Sequence, residues 1–254
     1  MRVAVAGLVA VLLAGCSSDV GLLTGAGATA DPQPAVSGAT SDTPVSAFNP
    51  FNTAPETAGG GREVIANPSL ADVMLAGELP EMSWGRADAP VTIIKYASLT
   101  CPYCRRFQLE TFPQLKREMI DTGKVRYIIR EFPIGKASGT ATIALRCASP
   151  DKYLALYEKF LTQQASWVSQ EVRPDAIFAV ASQVGMKRAD FDQCLANRAM
   201  IAQLNWIKDR GRKLGVIGTP NFFINGRLVK SVIGMKEIRD LVEQAGAGKT
   251  AAKS

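Results

Sequence analysis

The hydrophobic pattern changes period along the chain, and each change marks an element. Val91-Thr92-Ile93-Ile94-Lys95-Tyr96-Ala97 is an apolar, β-branched run that reads as a strand. From Cys101 the period becomes helical to about Asp121, with Gly123 as its stop and Pro113 inside it predicting a kink. Lys124 to Phe132 returns to β-branched and aromatic residues, a second strand. Strand, helix and strand of this length make two parallel neighbours joined by a right-handed crossover. Over about residues 137–214 the period is helical throughout, in segments near 138–147, 151–163, 174–184, 188–195 and 199–213, punctuated by Pro150, Pro174 and Gly185. Strands return at Asn221–Ile224 and Arg227–Val229, which flank the hairpin signal Asn225-Gly226, and Met235 to Ala245 is a last amphipathic helix. Ahead of all this, Asn67 as cap and Pro68 as first helical residue predict a short helix from Ser69 to Leu79, closed by Pro80. The order is βαβ, a helical insertion, then ββα: an α/β fold, one domain over residues 62–254 without repeats.

The two ends of the composition pull apart. Met1-Arg2 and the apolar stretch Val3 to Ala14 have the form of an export signal over residues 1–15. It ends in Leu13-Ala14-Gly15-Cys16, which resembles the lipobox of bacterial lipoproteins and implies lipidation of Cys16, with several acyl chains as a stable anchor. Ser17 in place of an aspartate implies the outer rather than the inner membrane. Residues 16–61 are rich in Gly, Pro, Ser, Thr and Ala, hold Asp19, Asp31, Asp42 and Glu56, and contain no Lys or Arg. Such a stretch cannot bury a core and reads as a disordered tether with a reach of about 35–40 Å. The basic excess of the chain, 29 Lys and Arg against 23 Asp and Glu, therefore falls on the folded part. Anionic lipid or wall surfaces and plain solubility both fit that excess. Nucleic acid does not, since no aromatic residues interleave the basic ones.

The chemistry lies in sulfur. The chain has no histidine, which removes the commonest metal ligand and the usual general base. Cys101-Pro102-Tyr103-Cys104 stands between the first strand and its helix, so both thiols sit at a helix N-terminus, where the partial positive charge favours thiolate. Pro102 fits the first turn because it has no N–H to lose, and the spacing suits a reversible disulfide. The alternative is half a zinc site completed by Cys147 and Cys194, but there is no second close-spaced pair. No metal or cofactor is expected. Cys147 and Cys194 are either a structural disulfide, which an exported protein favours, or two small buried hydrophobes.

This order of elements, with Cys101-Pro102-Tyr103-Cys104 in the first unit and Gly218-Thr219-Pro220 before the hairpin, resembles the thioredoxin fold as elaborated in the DsbA family of exported thiol-disulfide oxidoreductases. The resemblance covers about residues 82–246 and is carried also by Ala89-Pro90-Val91-Thr92-Ile93-Ile94 and Asn221-Phe222-Phe223-Ile224-Asn225-Gly226. It implies that Cys101 attacks and forms the mixed disulfide, that the more buried Cys104 resolves it, and that the Thr219–Pro220 bond is cis and faces the dithiol. Thr219 N–H and C=O would then pair with an extended substrate strand. Two residues depart from the strongly oxidising members. Tyr103 replaces a histidine and stabilises the thiolate less. Lys95 stands where a buried acid is usual; its ammonium would favour the Cys101 thiolate but could not accept a proton from Cys104 as an acid would.

The expected function is a lipid-anchored envelope enzyme that passes its disulfide to reduced or unfolded exported proteins and is reoxidised by a membrane redox partner. Alternatives are a disulfide isomerase or reductase, a glutaredoxin-like enzyme, for which Cys-Pro-Tyr-Cys is also the motif, and a non-enzymatic envelope lipoprotein. Isomerases of the family dimerise through an added N-terminal module, for which residues 62–81 are short, leaving the helix from Asn67 as the one candidate for pairing.

Overall fold

The computed structural model describes residues 64–251, so the expected signal, Cys16 and the tether lie outside the described residues. Five strands form one sheet: β1 (Met82–Trp84), β2 (Val91–Ala97), β3 (Val125–Glu131), β4 (Asn221–Ile224) and β5 (Arg227–Val229), in the order β1-β3-β2-β4-β5. β2 and β3 are parallel, with Ile93 opposite Tyr127 and Lys95 opposite Ile129, while β2–β4, β4–β5 and β1–β3 are antiparallel. β2 is central and covered on both faces, which explains why it is apolar almost throughout rather than alternating.

Alternation along the strands still sorts residues between two layers. Ile93 and Ala97 of β2 pack with Tyr127, Ile129, Phe222 and Ile224 against the first layer, which holds Cys104, Phe107, Tyr157 and Ile238. Ile94 and Tyr96 face the other way, with Ile128, Phe223, Val73, Leu214 and Val216. Lys95 lies between Ile93 and Ala97 and so points into the first layer, fully buried.

The helix that opens at the dithiol begins as α2 (Pro102–Arg106) and continues as a π turn (Phe107–Thr111), α3 (Phe112–Leu115) and a second π turn (Lys116–Ile120). Pro113 has no N–H for the helical ladder, and the helix meets the break by widening: Phe112 N–H reaches back five residues to the Phe107 carbonyl. The insertion follows as α4 (Lys136–Cys147), α5 (Pro150–Thr162), α6 (Gln164–Trp167), α7 (Pro174–Ala181), α8 (Arg188–Leu195) and α9 (Arg198–Lys213); α6 was not expected, and the other five start within two residues of their expected positions. The hairpin turns at Asn225 (φ 45°) and Gly226 (φ 91°), the two left-handed residues that an Asn-Gly turn requires. α10 (Met235–Ala251) closes the chain, and among the described residues no helix is long and apolar enough to cross a membrane.

One expectation at the start of the domain is corrected. The first helix, α1, spans only Leu70–Met74, and its cap is Ser69, whose hydroxyl accepts from Asp72 N–H while the Asp72 carboxylate accepts from Ser69 N–H. Asn67 is instead left-handed, with φ 52°. α1 is also tied to the domain behind it. Val73 is buried in the second layer, Arg130 donates to the Val73 carbonyl at 2.7 Å, and Arg210 donates to the Asp72 carbonyl at 2.7 Å. β1 was not foreseen; it extends the sheet edge beside β3.

Candidate active site

Cys101 is the N-cap residue of α2, and its sulfur accepts from the Cys104 backbone N–H at 3.4 Å. A sulfur in the cap position thus receives the free N–H groups of the first turn, which stabilise an anion there. Pro102 occupies the first helical position, and Tyr103 turns outward, 56% exposed. Cys104 faces inward and is fully buried.

Across from the sulfur lies the loop before β4. The Thr219–Pro220 bond is cis, and Cys101 Sγ donates to the Thr219 carbonyl at 3.0 Å. That bond exists only in the thiol form, so ionisation of Cys101 frees the carbonyl to accept from another donor. The Thr219 hydroxyl is buried without a hydrogen-bond partner.

These surroundings split the two thiols. Cys101 is lowered from 9.0 to about 5, first by the hydrogen bond from the Cys104 thiol, then by Thr219 and the Cys104 and Tyr103 N–H groups, against the opposing cost of its partial burial. Cys104 moves the other way: burial raises it well above the ordinary value, the hydrogen bond to Cys101 adds to this, and the Lys95 charge only partly offsets both. At neutral pH Cys101 is a thiolate and Cys104 a thiol.

Lys95 lies beneath the pair. Its Nζ is 4.4 Å from the centre of the Phe107 ring and 5.5 Å from that of Tyr157. The side chain does point toward the sulfurs, but its charge bears on Cys104 rather than counting among the main causes at Cys101. Cys147 and Cys194 are bonded to each other, with Cα atoms 6.2 Å apart, joining the end of α4 to α8. They therefore do not converge on Cys101 and Cys104 as a four-sulfur metal set.

A thioredoxin family model matches residues 78–244, well over half of the chain. The chain belongs to the thioredoxin family. Within this family its five-stranded sheet with a helical insertion is DsbA-like. The structure is similar to that of alpha-DsbA1 from Wolbachia pipientis, with a TM-score of 0.64 and 24% identity over 72% of this chain and 99% of that one. Among curated relatives, a Rickettsia conorii protein provisionally named protein-disulfide oxidoreductase is 30% identical over 63% of this chain and 59% of its own length. Disulfide bond formation protein D of Bacillus subtilis is 26% identical over 65% of this chain and 77% of its own. The chain thus spans less than two thirds of the length of the Rickettsia relative.

As a thioredoxin-family member, the chain carries around its dithiol several residues that the sequence pattern did not single out. Gln164 Nε2 donates to the carbonyls of Leu99 at 2.7 Å and Cys101 at 3.1 Å. Ser98 Oγ lies 2.8 Å from Ser138 Oγ and accepts from Ile134 N–H at 3.2 Å, and Thr100 Oγ1 donates to the Ile134 carbonyl at 3.2 Å. These bonds fix the segment between β2 and α2 to the insertion and to the loop after β3. No local periodicity signals them, because each joins segments far apart in the chain.

Proposed function

We propose that the protein is an envelope thiol-disulfide oxidoreductase that passes a Cys101–Cys104 disulfide to exported proteins. The observation that carries this is the pairing of a half-buried Cys101 at the cap of α2, its sulfur receiving the Cys104 N–H, with a fully buried Cys104. In transfer, a substrate thiolate attacks Cys101 Sγ of the disulfide and Cys104 leaves with the bonding electron pair. A second substrate thiolate then attacks the substrate sulfur of the mixed disulfide, and Cys101 leaves as thiolate. The substrate gains the disulfide, and the protein is reduced to a dithiol. A low thiol pKa makes Cys101 a good leaving group in that last step, which favours donation of the disulfide.

The Thr219 carbonyl, freed when Cys101 ionises, is placed to accept an N–H from a substrate strand lying across the site. Tyr103 next to Cys101, Ile134 and Ile217 are exposed apolar residues, 56%, 48% and 74% exposed, which suits an unfolded polypeptide. Reoxidation falls to a membrane redox partner. Cys16 within Leu13-Ala14-Gly15-Cys16 supports a lipid anchor, with residues 16–61 as tether and the outer membrane as its site.

The test is oxidation of a reduced, unfolded substrate by the oxidised protein. Cys101→Ala abolishes transfer, and full turnover by that variant rejects the function. Cys16→Ser moves the protein to the soluble fraction with its dithiol reactivity intact. Retention on the membrane after that change assigns anchoring to the basic surface.

A further inference from the structure

The loop after β3 and the loop before β4 both border the dithiol, and they enclose with α9 a pocket of about 270 Å³. Its walls are Phe132 and Ile134 from the first loop and Val216 and Ile217 from the second. Both loops are fixed to the active site. Phe132 N–H donates to the Ala97 carbonyl at 2.7 Å, and Ile134 N–H donates to Ser98 Oγ at 3.2 Å. Ile217 precedes by two residues Thr219, whose carbonyl lies 3.0 Å from Cys101 Sγ. Two residues of chain span about 7 Å at most, so a polypeptide strand paired with Thr219 passes Ile217 within about three residues of its cysteine.

The remaining side of the pocket is cationic. Lys208 and Arg212 stand one helical turn apart on α9, and both line it. Lys208 is 7% exposed, its Nζ 5.9 Å from the centre of the Phe132 ring, and the Arg212 side chain is 25% exposed. Asp209 accepts from Arg212 at 2.7 Å from a half-exposed position on the same helix, and among the described residues no carboxylate lines the pocket itself. Burial, then the Arg212 charge, lowers Lys208 from 10.5 to about 8, with Asp209 offsetting part of this, so the ammonium still prevails at pH 7. Two cations beneath four apolar side chains suit a group with an aliphatic stem and an anionic tip.

Resting on the disulfide-transfer function above, we propose that this pocket is a substrate subsite for a glutamate side chain lying within about three residues of the substrate's reactive cysteine. The stem of the glutamate packs between Ile134 and Ile217 and covers their exposed apolar area. Its carboxylate accepts from the Arg212 guanidinium and the Lys208 ammonium, donors that the fold has already withdrawn in large part from water, so the bonds form at a small further cost in hydration. A lysine at the same substrate position brings a third cation against these two and is rejected. The subsite thus selects, among exported proteins, cysteines with acidic neighbours.

The experiment mixes the oxidised full chain with two-cysteine peptides that differ only two residues before and two residues after the first cysteine, where they carry Glu, Gln or Lys. Peptide oxidation is followed by mass spectrometry after acid quenching. Each rate is divided by that of the same peptide with a small-molecule disulfide, which removes the effect of the neighbouring charge on the peptide thiol. In the wild type the Glu peptide is oxidised about 10-fold faster than the Lys peptide, with Gln between them. The preference is lost when the Glu is moved about six residues from the cysteine, and most of it survives about 0.5 M sodium chloride. Arg212→Glu reverses the order of the Glu and Lys peptides, and Lys208→Met narrows the gap. Equal rates for the three peptides in the wild type overturn the proposal, a result that depends on no variant folding. A Glu preference that is independent of position, or that salt abolishes, belongs to the basic surface as a whole and overturns it too, as does an Arg212→Glu protein with the wild-type order. Failure of the wild type to oxidise any of the peptides removes disulfide transfer itself, and the subsite with it.

Discussion

Gln164 holds Cys101 by its main chain: its side-chain amide donates to the Cys101 carbonyl at 3.1 Å, from the first residue of α6. The same amide donates to the carbonyl of Leu99, itself buried. The helical insertion is thus fastened to the residue that caps the dithiol helix, and the position of the reactive sulfur depends on a segment some sixty residues away in sequence.

Gln164→Ala should leave the Leu99 carbonyl without this donor and cost about 1–3 kcal/mol of stability. Urea unfolding measures it. The Cys104 N–H still reaches the Cys101 sulfur in this variant, so Cys101 should remain rapidly alkylated at pH 6. A large loss of that reactivity would mean that the Gln164 contact, rather than the helix cap, sets the state of Cys101.

The hairpin, the βαβ crossover and the helices of the insertion were legible because their signals are local: Asn225-Gly226 fixes its own turn, and the apolar spacing of α5 and α9 repeats over several turns. α1 was misread for an equally local reason. Pro68 suggested a first helical position, while Ser69 with Asp72 three residues on was the actual capping box. The helix also ends before Leu79. The Gly77 Cα lies so close to the Trp206 ring that an added Cβ would come within 2.7 Å of it, a tertiary contact no local pattern announces. β1 has only Met82, Ser83 and Trp84, too few for an alternation to register. At the site, the motif gave the cysteines and the proline loop, but Gln164, Tyr127 and Tyr157 reach it only through folding. The resemblance placed Lys95 where its ammonium would favour the Cys101 thiolate. That it bears on Cys104 rather than chiefly on Cys101 emerged only from the packed structure.

Cys104→Ala should do two things at once. Mixed disulfides with substrates should accumulate, because no internal thiol remains to resolve them. The Cys101 pKa should also rise from about 5, since the largest cause of its depression is the hydrogen bond from the Cys104 thiol. Thiolate absorbance in the ultraviolet, followed against pH, measures the shift. An unchanged midpoint would assign the depression to the backbone N–H groups and Thr219 alone.

The stability of the reduced form should depend on pH through Cys101. Its folded pKa of about 5 lies below the ordinary 9.0, so the unfolded chain binds more protons between these values. The stabilisation is full above about pH 9 and is lost as pH falls toward 5. In the disulfide form Cys101 does not titrate. The melting temperature of the dithiol form, taken relative to the disulfide form, should therefore climb from pH 5 to pH 9. A flat difference across that window would show that Cys101 is not a depressed thiol in the folded protein.

The Cys147–Cys194 bond should act on stability without touching the chemistry at Cys101. It closes a loop of 47 residues within the insertion, between the end of α4 and α8, and the loss of such a cross-link typically costs about 2–4 kcal/mol by releasing the unfolded chain. Around Cys194, Ile143, Leu204 and Ile207 form a small core of their own, so the surroundings retain packing when the bond is removed. The variant to compare is Cys147→Ala with Cys194→Ala, because either change alone leaves an idle thiol that can capture substrate. Urea unfolding should show the loss, while alkylation of Cys101 at pH 6 keeps its rate, since neither residue contributes to the hydrogen bonds that hold that sulfur. Equal stability of the two proteins would mean that the pair is not cross-linked in the folded chain. A slowed Cys101 would mean that the insertion transmits its rigidity to the site through Gln164.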